Sequence, residues 1–257
     1  MTAAVPESRW SGYEVMAQHV LPAARHLLHR VGPPDDGRAH LVDVGSGTGT
    51  ALPLAIDAGW APLGLDRSPE QVRTGRRNGG AQLLADAMQI PLGDASVDAA
   101  ISNFALIFAA DPRAVLAEVR RCLRPHAPFA WSAWSPGGWP ETWRSILARA
   151  LDRRAVPFPV ELGSATAAMS AMTDAGFVDV HVEPRAVRWC APSAGHAVDL
   201  MTDAAGGLRL HRAELERTGH WPAVRALLIA EAHGRAVTTA DGVAIDDHYL
   251  AVYGRAP

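Results

Sequence analysis

Short apolar runs alternate with amphipathic stretches from residue 39 to residue 135. Five such runs predict strands, at 41–44, 61–66, 82–85, 97–102 and 128–133. The stretches between them carry apolar residues at helical spacing, and two open with Ser68-Pro69 and Asp111-Pro112, pairs that favour a helix start. Strands alternating with helices are typical of βαβ units, so the pattern predicts an α/β fold with a mostly parallel sheet.

The flanking regions follow a looser pattern. Residues 9–31 predict two helices broken at Pro22, and strand-like runs at 177–189 and 244–254 raise the expected sheet to seven strands. Residues 194–236 are mainly helical and too long for an ordinary connection. We therefore predict helices on both faces of the sheet and a helical cap over its carboxyl edge.

These boundaries give a simple domain organisation. Residues 1–36 form an N-terminal helical cap segment, and residues 37–257 form one domain with cap insertions at about 134–160 and 192–238. The carboxyl edge of an open α/β sheet is where ligands bind. The cap is thus expected to cover a ligand site.

Composition excludes several classes of protein. The net charge is −3 and no basic stripe is present, which argues against a nucleic-acid partner. The N-terminus lacks a signal-peptide pattern, and the longest apolar stretch, 99–110, is interrupted by Ser102 and Asn103, so we expect a cytoplasmic protein without a membrane partner. Two cysteines make no disulfide framework, and no zinc-type motif occurs, so no metal is expected.

The most informative motif is LVDVGSGTGT. Asp43 ends a strand, and Gly45, Gly47 and Gly49 then stand at alternate positions before a helix, where glycine lets a backbone approach a ligand closely. A dinucleotide fingerprint needs a glycine at position 50, which is Thr, and a P-loop needs a lysine, which the chain lacks. Both phosphate-binding interpretations therefore lose support.

Two further acids follow predicted strands. Asp66 lies 21 residues after Gly45, where a carboxylate can accept both hydroxyls of a ribose. Asp86 closes the third strand and could accept from an adenine amino group, with Ala87 and Met88 bordering the base. Each acid alone could instead be a helix cap or turn former. The spacing of both acids from the glycine loop, each at the end of a predicted strand, favours an adenosine ligand.

Residues 39–135 resemble the class I S-adenosylmethionine (SAM)-dependent methyltransferases, particularly the small-molecule branch that includes quinone-biosynthesis enzymes. The resemblance implies a Rossmann-like sheet and SAM as cofactor. It implies that the loop Asp43-Val44-Gly45-Ser46-Gly47-Thr48-Gly49 contacts the methionine part of SAM, that Asp66, beside Arg67, binds the ribose, and that Asp86, Ala87 and Met88 border the adenine. The stretch after the fourth strand, Ser102, Asn103 and Phe104, is implied to lie near the sulfonium. One departure is LRPHAP before the fifth strand, where the family often has Leu-x-Pro-Gly-Gly.

Methyl transfer from a sulfonium is an in-line displacement, and an acceptor hydroxyl or ammonium also needs a general base. The chain has 11 histidines, so the choice is wide. His19 and Tyr13 are candidates because the resembled family folds its N-terminal helix over the cofactor, and Asn103 is a third. Trp131, Trp134, Trp139 and Trp143 could line a pocket for a flat or cationic substrate, or could simply pack the cap onto the sheet.

The favoured function is a methyltransferase acting on a small molecule by O-, N- or C-methylation. Three alternatives stay open: a methyltransferase acting on protein, a SAM-binding scaffold or regulatory protein without turnover, and a nicotinamide-dependent oxidoreductase. The oligomeric state is also open, with a homodimer as one option.

Overall fold

The computed structural model describes residues 13–34, 39–152, 162–204 and 206–257. Their helices are α1 (Tyr13–His19), α2 (Leu21–Val31), α3 (Leu52–Asp57), α4 (Pro69–Arg77), α5 (Pro112–Cys122), α6 (Trp139–Ala150), α7 (Ala165–Asp174), α8 (Ala194–Ala204), α9 (Gly206–Arg217) and α10 (Trp221–Arg235). Their strands are β1 (His40–Val44), β2 (Ala61–Asp66), β3 (Gln82–Leu84), β4 (Ala99–Ser102), β5 (Pro128–Trp134), β6 (Val178–Ala191), β7 (Val237–Thr239) and β8 (Gly242–Arg255). A 3-10 turn, Leu106–Phe108, follows β4.

Local sequence signals set the ends of several helices. Pro22 lies in the first turn of α2, which confirms the predicted break after α1. The Ser68 hydroxyl accepts a hydrogen bond from the backbone N–H of Gln71 at the start of α4. Asp111 accepts from two backbone N–H groups in the first turn of α5. Both predicted helix starts are therefore confirmed.

The sheet has the strand order β3-β2-β1-β4-β5-β8-β6, and β1 to β5 pair in parallel while β8 is antiparallel to both β5 and β6. These are the seven predicted strands. The described sheet nevertheless has eight strands rather than seven, because β7 adds a short hairpin to the start of β8. Its residues, Val-Thr-Thr, are β-branched, and a two-residue turn, Ala240 and Asp241, leads directly into Gly242 of β8, which has a φ of +134°.

Helices cover both faces of the sheet, as predicted. The guanidinium carbon of Arg30, on α2, lies 4.9 Å from the centre of the Tyr253 ring on β8. The next residue, Gly254, faces α7, since a Cβ built there would lie 3.2 Å from the Met172 methyl group. Successive residues of a strand point to opposite faces, so α2 and α7 pack on opposite sides.

Beyond the carboxyl end of β5, the chain forms a second helical layer. The pairing of β6 with β8 continues past Trp134, the last residue of β5, as far as Ala191 and Val243. There α6 contacts α9 and α10, and α8 contacts both β6 and α1. In the part of the chain that the structure describes, no helix has the length and apolar content needed to cross a bilayer.

Candidate functional site

A cleft of about 860 Å³, counted to its open mouth, lies at the carboxyl ends of β1 to β4. The chain order reverses here, since β2 and β3 lie on one side of β1 and β4 on the other, which is where open α/β sheets bind ligands. Nine residues named from the sequence line the cleft: Gly45, Gly47, Asp66, Arg67, Asp86, Ala87, Met88, Asn103 and Phe104. The structure therefore brings most of the predicted cofactor residues to one place.

Four other predicted cofactor residues, Asp43, Ser46, Gly49 and Ser102, are not part of the cleft lining. The Ser46 hydroxyl turns toward the sheet and donates to the side-chain oxygen of Gln82 at 3.3 Å. The Ser102 hydroxyl is fully buried and donates to the carbonyl of Val44 at 2.7 Å. The side chains of Ser46 and Ser102 therefore support the wall of the cleft from behind.

The glycine loop adopts a backbone that favours glycine. Gly45, Gly47 and Gly49 all have positive φ, at +74°, +56° and +75°. Gly45 is also sterically constrained, because a Cβ there would lie 2.2 Å from the Cβ of Ala105. The backbone N–H of Gly45 donates to the carbonyl of Leu65 at 2.8 Å, which holds the loop against β2.

Asp66 joins the end of β2 to the glycine loop. One carboxylate oxygen accepts from the backbone N–H of Gly47 at 2.9 Å, and the other accepts from that of Ser68 at 2.8 Å. Burial raises the pKa of Asp66, while these two backbone donors lower it. A carboxylate has about four acceptor positions, so the group can still accept from ligand hydroxyls.

Asp43 lies beneath the loop, buried in the sheet. Its Oδ1 has no hydrogen-bond partner among the described residues. Burial, together with the nearby charge of Asp66, raises the pKa of Asp43 to about 7. The charge of Asp66 thus disfavours ionisation of Asp43, and any cationic group entering this region would relieve that repulsion.

Asp86 stands exposed at the rim of the cleft, after β3. Its Oδ1 accepts from the backbone N–H of Met88 at 2.9 Å, which is a turn-forming contact. The same bond fixes the direction of the carboxylate. Ala87 and Met88, half-buried, provide an apolar wall beside it.

Asn103 and Phe104 are held at the end of β4 by Ser132 of β5. The Ser132 hydroxyl donates to the Asn103 side-chain oxygen at 2.9 Å and accepts from the Phe104 backbone N–H at 2.9 Å. Asn103 also donates to the carbonyl of Val20, between α1 and α2, at 3.2 Å. Phe104 has a φ of +54°, an unusual conformation for a bulky residue, and its ring stacks on Trp134 at 4.0 Å.

The sequence analysis missed Ser132. The available signal was the single hydroxyl residue in the apolar strand PFAWSAW. Among the described residues, both polar ends of the Asn103 side chain are engaged by the protein, so Asn103 is a positioning residue here rather than a free proton acceptor.

The predicted catalytic residue His19 is not brought into the cleft. Its ring packs 4.4 Å from that of Trp189 on β6, and burial lowers its pKa. The side chain of Tyr13 lies outside the described residues. None of the side chains that line the cleft is a histidine, and among the described residues no group of three metal-ligating side chains occurs.

The apolar wall of the cleft was only partly anticipated. Leu106 and Phe108, on the 3-10 turn after β4, and Val115, on α5, complete it opposite Leu65. The pocket therefore combines acids at one rim with an apolar slot, an arrangement that suits a ligand with both a polyol part and a flat ring.

Residues 42–130 match the family model described as a methyltransferase domain. A ubiquinone/menaquinone biosynthesis C-methyltransferase from Rubrivivax gelatinosus is 32% identical over 113 residues, which are 43% of this chain and 45% of that protein. A malonyl-[acyl-carrier protein] O-methyltransferase from Pseudescherichia vulneris is 30% identical over 142 residues, 53% of this chain and 56% of that protein. The chain thus spans about half the length of these relatives.

A solved structure shares the fold over most of the chain. The geranyl diphosphate C-methyltransferase from Streptomyces coelicolor, determined with Mg²⁺, geranyl diphosphate and S-adenosyl-L-homocysteine, aligns with a TM-score of 0.55. It is 17% identical, and the alignment covers 92% of this chain and 77% of that one. At this identity the likeness establishes the Rossmann-like fold.

Proposed function

We propose, from the match of residues 42–130 to the methyltransferase domain model, that this protein binds SAM in the cleft and transfers its methyl group to a small molecule. The observation that carries the proposal is the bond between Asp66 and the backbone of Gly47. It places an acid that can accept from ribose hydroxyls in contact with the glycine loop, at the sheet edge where such ligands bind.

The residues present fit an adenosyl ligand. Asp66 would accept hydrogen bonds from the ribose, beside Arg67, and the backbone of Gly45 and Gly47 would lie along the methionine part. Asp86 would accept from the adenine edge, with the base against Ala87 and Met88. Asp43, Ser46, Gly49 and Ser102 would act indirectly, by holding the loop from behind the cleft.

SAM, when bound, supplies a methyl group activated by the sulfonium. The chain's own contribution is to position the acceptor and exclude water, which can lower a barrier by roughly 7–11 kcal/mol when the geometry is near ideal. Asn103 and Phe104 would form the wall nearest the transfer, and Ser132 fixes both. A base is needed only if the acceptor carries a proton, and His19 and Tyr13 remain candidates if the N-terminal helices move when the ligand binds.

The acceptor is proposed to be a metabolite-sized molecule rather than a nucleic acid. The segments 1–36, 134–160 and 192–238 would act as a cap around it. The contacts of α1 with α8 and of α6 with α10 support this arrangement. The named relatives act, by their descriptions, on quinone-pathway and acyl-carrier substrates, which favours small acceptors but selects none.

Calorimetry with SAM, S-adenosylhomocysteine and NAD tests the cofactor. Binding of the two adenosyl compounds without NAD is expected, and binding of NAD without SAM would overturn the proposal. Transfer of a labelled methyl group from SAM to a compound in a cell extract, separated by size, tests the activity. SAM binding without any transfer would favour the scaffold alternative, and label on protein would favour a protein acceptor.

A further inference from the structure

Asp247 on β8 is a buried carboxylate that the proposed SAM site does not use. Its side chain is only 1% exposed. Oδ1 accepts from the backbone N–H of Trp139, at the start of α6, at 3.2 Å. Oδ2 has no hydrogen-bond partner among the described residues. One carboxylate oxygen therefore caps α6, and the other is buried without a hydrogen-bond partner in the described part of the chain.

No described cation pairs directly with Asp247. Arg235, whose charge lowers the pKa of Asp247, donates instead to Glu231 at 2.6 Å and to the carbonyl of Gly137. His19, whose ring packs on Trp189, has a pKa lowered by burial and favours the neutral form. Burial outweighs Arg235 and raises the pKa of Asp247 to about 6, so the carboxylate is still mostly ionised above neutral pH.

The surroundings of Asp247 are aromatic and also carry unsatisfied donors. The Trp139 ring lies 4.9 Å from that of Trp143 and 6.1 Å from that of Trp189. All three indole N–H groups are buried without a hydrogen-bond partner among the described residues. Buried polar groups nearly always have hydrogen-bond partners. Four unpaired groups in one region therefore indicate that water or a ligand supplies the missing hydrogen bonds.

This region adjoins the cleft through packed aromatic side chains. Phe104 lines the cleft, and its ring meets the edge of Tyr249 at 5.4 Å. Tyr249 and Asp247 lie two residues apart on the same face of β8, which is a rise of about 7 Å. Asp247 therefore lies within the length of a flat molecule whose reacting atom is near Phe104.

We propose that the acceptor site extends along this face of β8, and that Asp247 binds a protonated amino group on a planar acceptor. This inference rests on the proposed function, since it identifies the substrate class of the same site. The carboxylate supplies the charge partner, and the aromatic faces favour a cation and a flat ring. The indole N–H groups supply donors for oxygen atoms of the same molecule.

A purely structural role for Asp247 is the alternative. A carboxylate at a helix N-terminus is favourable, and the bond to Trp139 explains Oδ1 in that way. That structural role does not account for the unpaired Oδ2 or for the three unpaired indole N–H groups. Asp247→Asn separates the two roles, because an amide oxygen can still accept from Trp139 while the charge is lost.

The test uses the whole protein saturated with S-adenosylhomocysteine at pH 7.5. The probes are two matched pairs that differ in one group, tyramine with tyrosol and tryptamine with tryptophol, measured by calorimetry. At least one amine is expected to bind about tenfold or more tightly than its alcohol. Asp247→Asn should abolish this preference. The control is Asp246→Asn, the neighbouring acid on the opposite face of β8, which pairs with Arg188 and should leave the preference unchanged.

Equal binding of amine and alcohol, binding of neither, or an unchanged preference in Asp247→Asn would each overturn the inference. If that variant does not fold, the pH dependence of the native protein decides. The amine preference should fall as the pH decreases through about 6, and a preference that is constant from pH 8 to pH 5 would contradict the assignment. Failure of the native protein to bind S-adenosylhomocysteine would instead reject the proposed function.

Discussion

The carboxylate of Asp66 accepts a hydrogen bond from the backbone N–H of Gly47, 19 residues earlier in the chain, at 2.9 Å. The contact spans β1 and β2, which pair in parallel from His40 to Val44. Because both strands end at the same edge of the sheet, the acid and the glycine loop meet there. This relationship leads to the first prediction.

Asp66→Ala should weaken SAM binding by at least tenfold, because it removes the acceptor for the ribose hydroxyls and releases the loop at Gly47. Calorimetry measures the affinity, and circular dichroism checks the fold. Asp57→Ala, an exposed acid at the end of α3, is the matched control and should bind normally. Equal SAM affinity in both variants would reject the ribose role of Asp66.

Gly45→Ala should also impair SAM binding, and it should destabilise the protein. The new Cβ would lie 2.2 Å from that of Ala105, in a backbone with positive φ. Gly79→Ala has a similar φ, +84°, but open space around it, so it isolates the conformational cost of about 1–2 kcal/mol. Ala105→Gly combined with Gly45→Ala should recover part of the loss. No difference between the two alanine variants in thermal unfolding would show that the contact is unimportant.

The raised pKa of Asp43 predicts a pH-dependent stability. The folded carboxyl group keeps its proton up to about pH 7, whereas the unfolded one loses it near 3.8, so the free energy of unfolding should fall as the pH rises between these values. Asp43→Asn removes this contribution and should flatten the slope. Denaturant unfolding from pH 4 to pH 8 measures it. Asp247, with a pKa raised to about 6, adds a slope of the same sign in both proteins.

Ser132→Ala should disturb Asn103 and Phe104 together. It leaves the backbone N–H of Phe104 without its acceptor and the Asn103 oxygen without its donor, at a cost of about 1–3 kcal/mol for each unsatisfied group. Unfolding measurements and SAM titration check the effect. Ser96→Ala removes a hydroxyl from an exposed loop and serves as the control. A Ser132 variant as stable as the Ser96 variant would contradict the bridging role.

The sequence by itself determined the order of the seven main strands along the chain and nine of the residues that line the cleft. Strand runs, proline positions and caps such as Ser68 and Asp111 are local signals, and they act through bonds within a few residues. The acids Asp66 and Asp86 were also predictable, because parallel strands end at one edge and bring the residues after them together.

The tertiary structure alone decided which side chains face the cleft and which support it. His19 was expected near the cofactor, but the packing of α1 on β6 turns its ring to Trp189. Ser132 and Asp247 each form a hydrogen bond with a residue far away in the chain. The partner of Ser132 is Asn103, and that of Asp247 is the backbone N–H of Trp139. Such contacts depend on how strands align and how helices pack over them, and no pattern within a short stretch of sequence encodes that geometry.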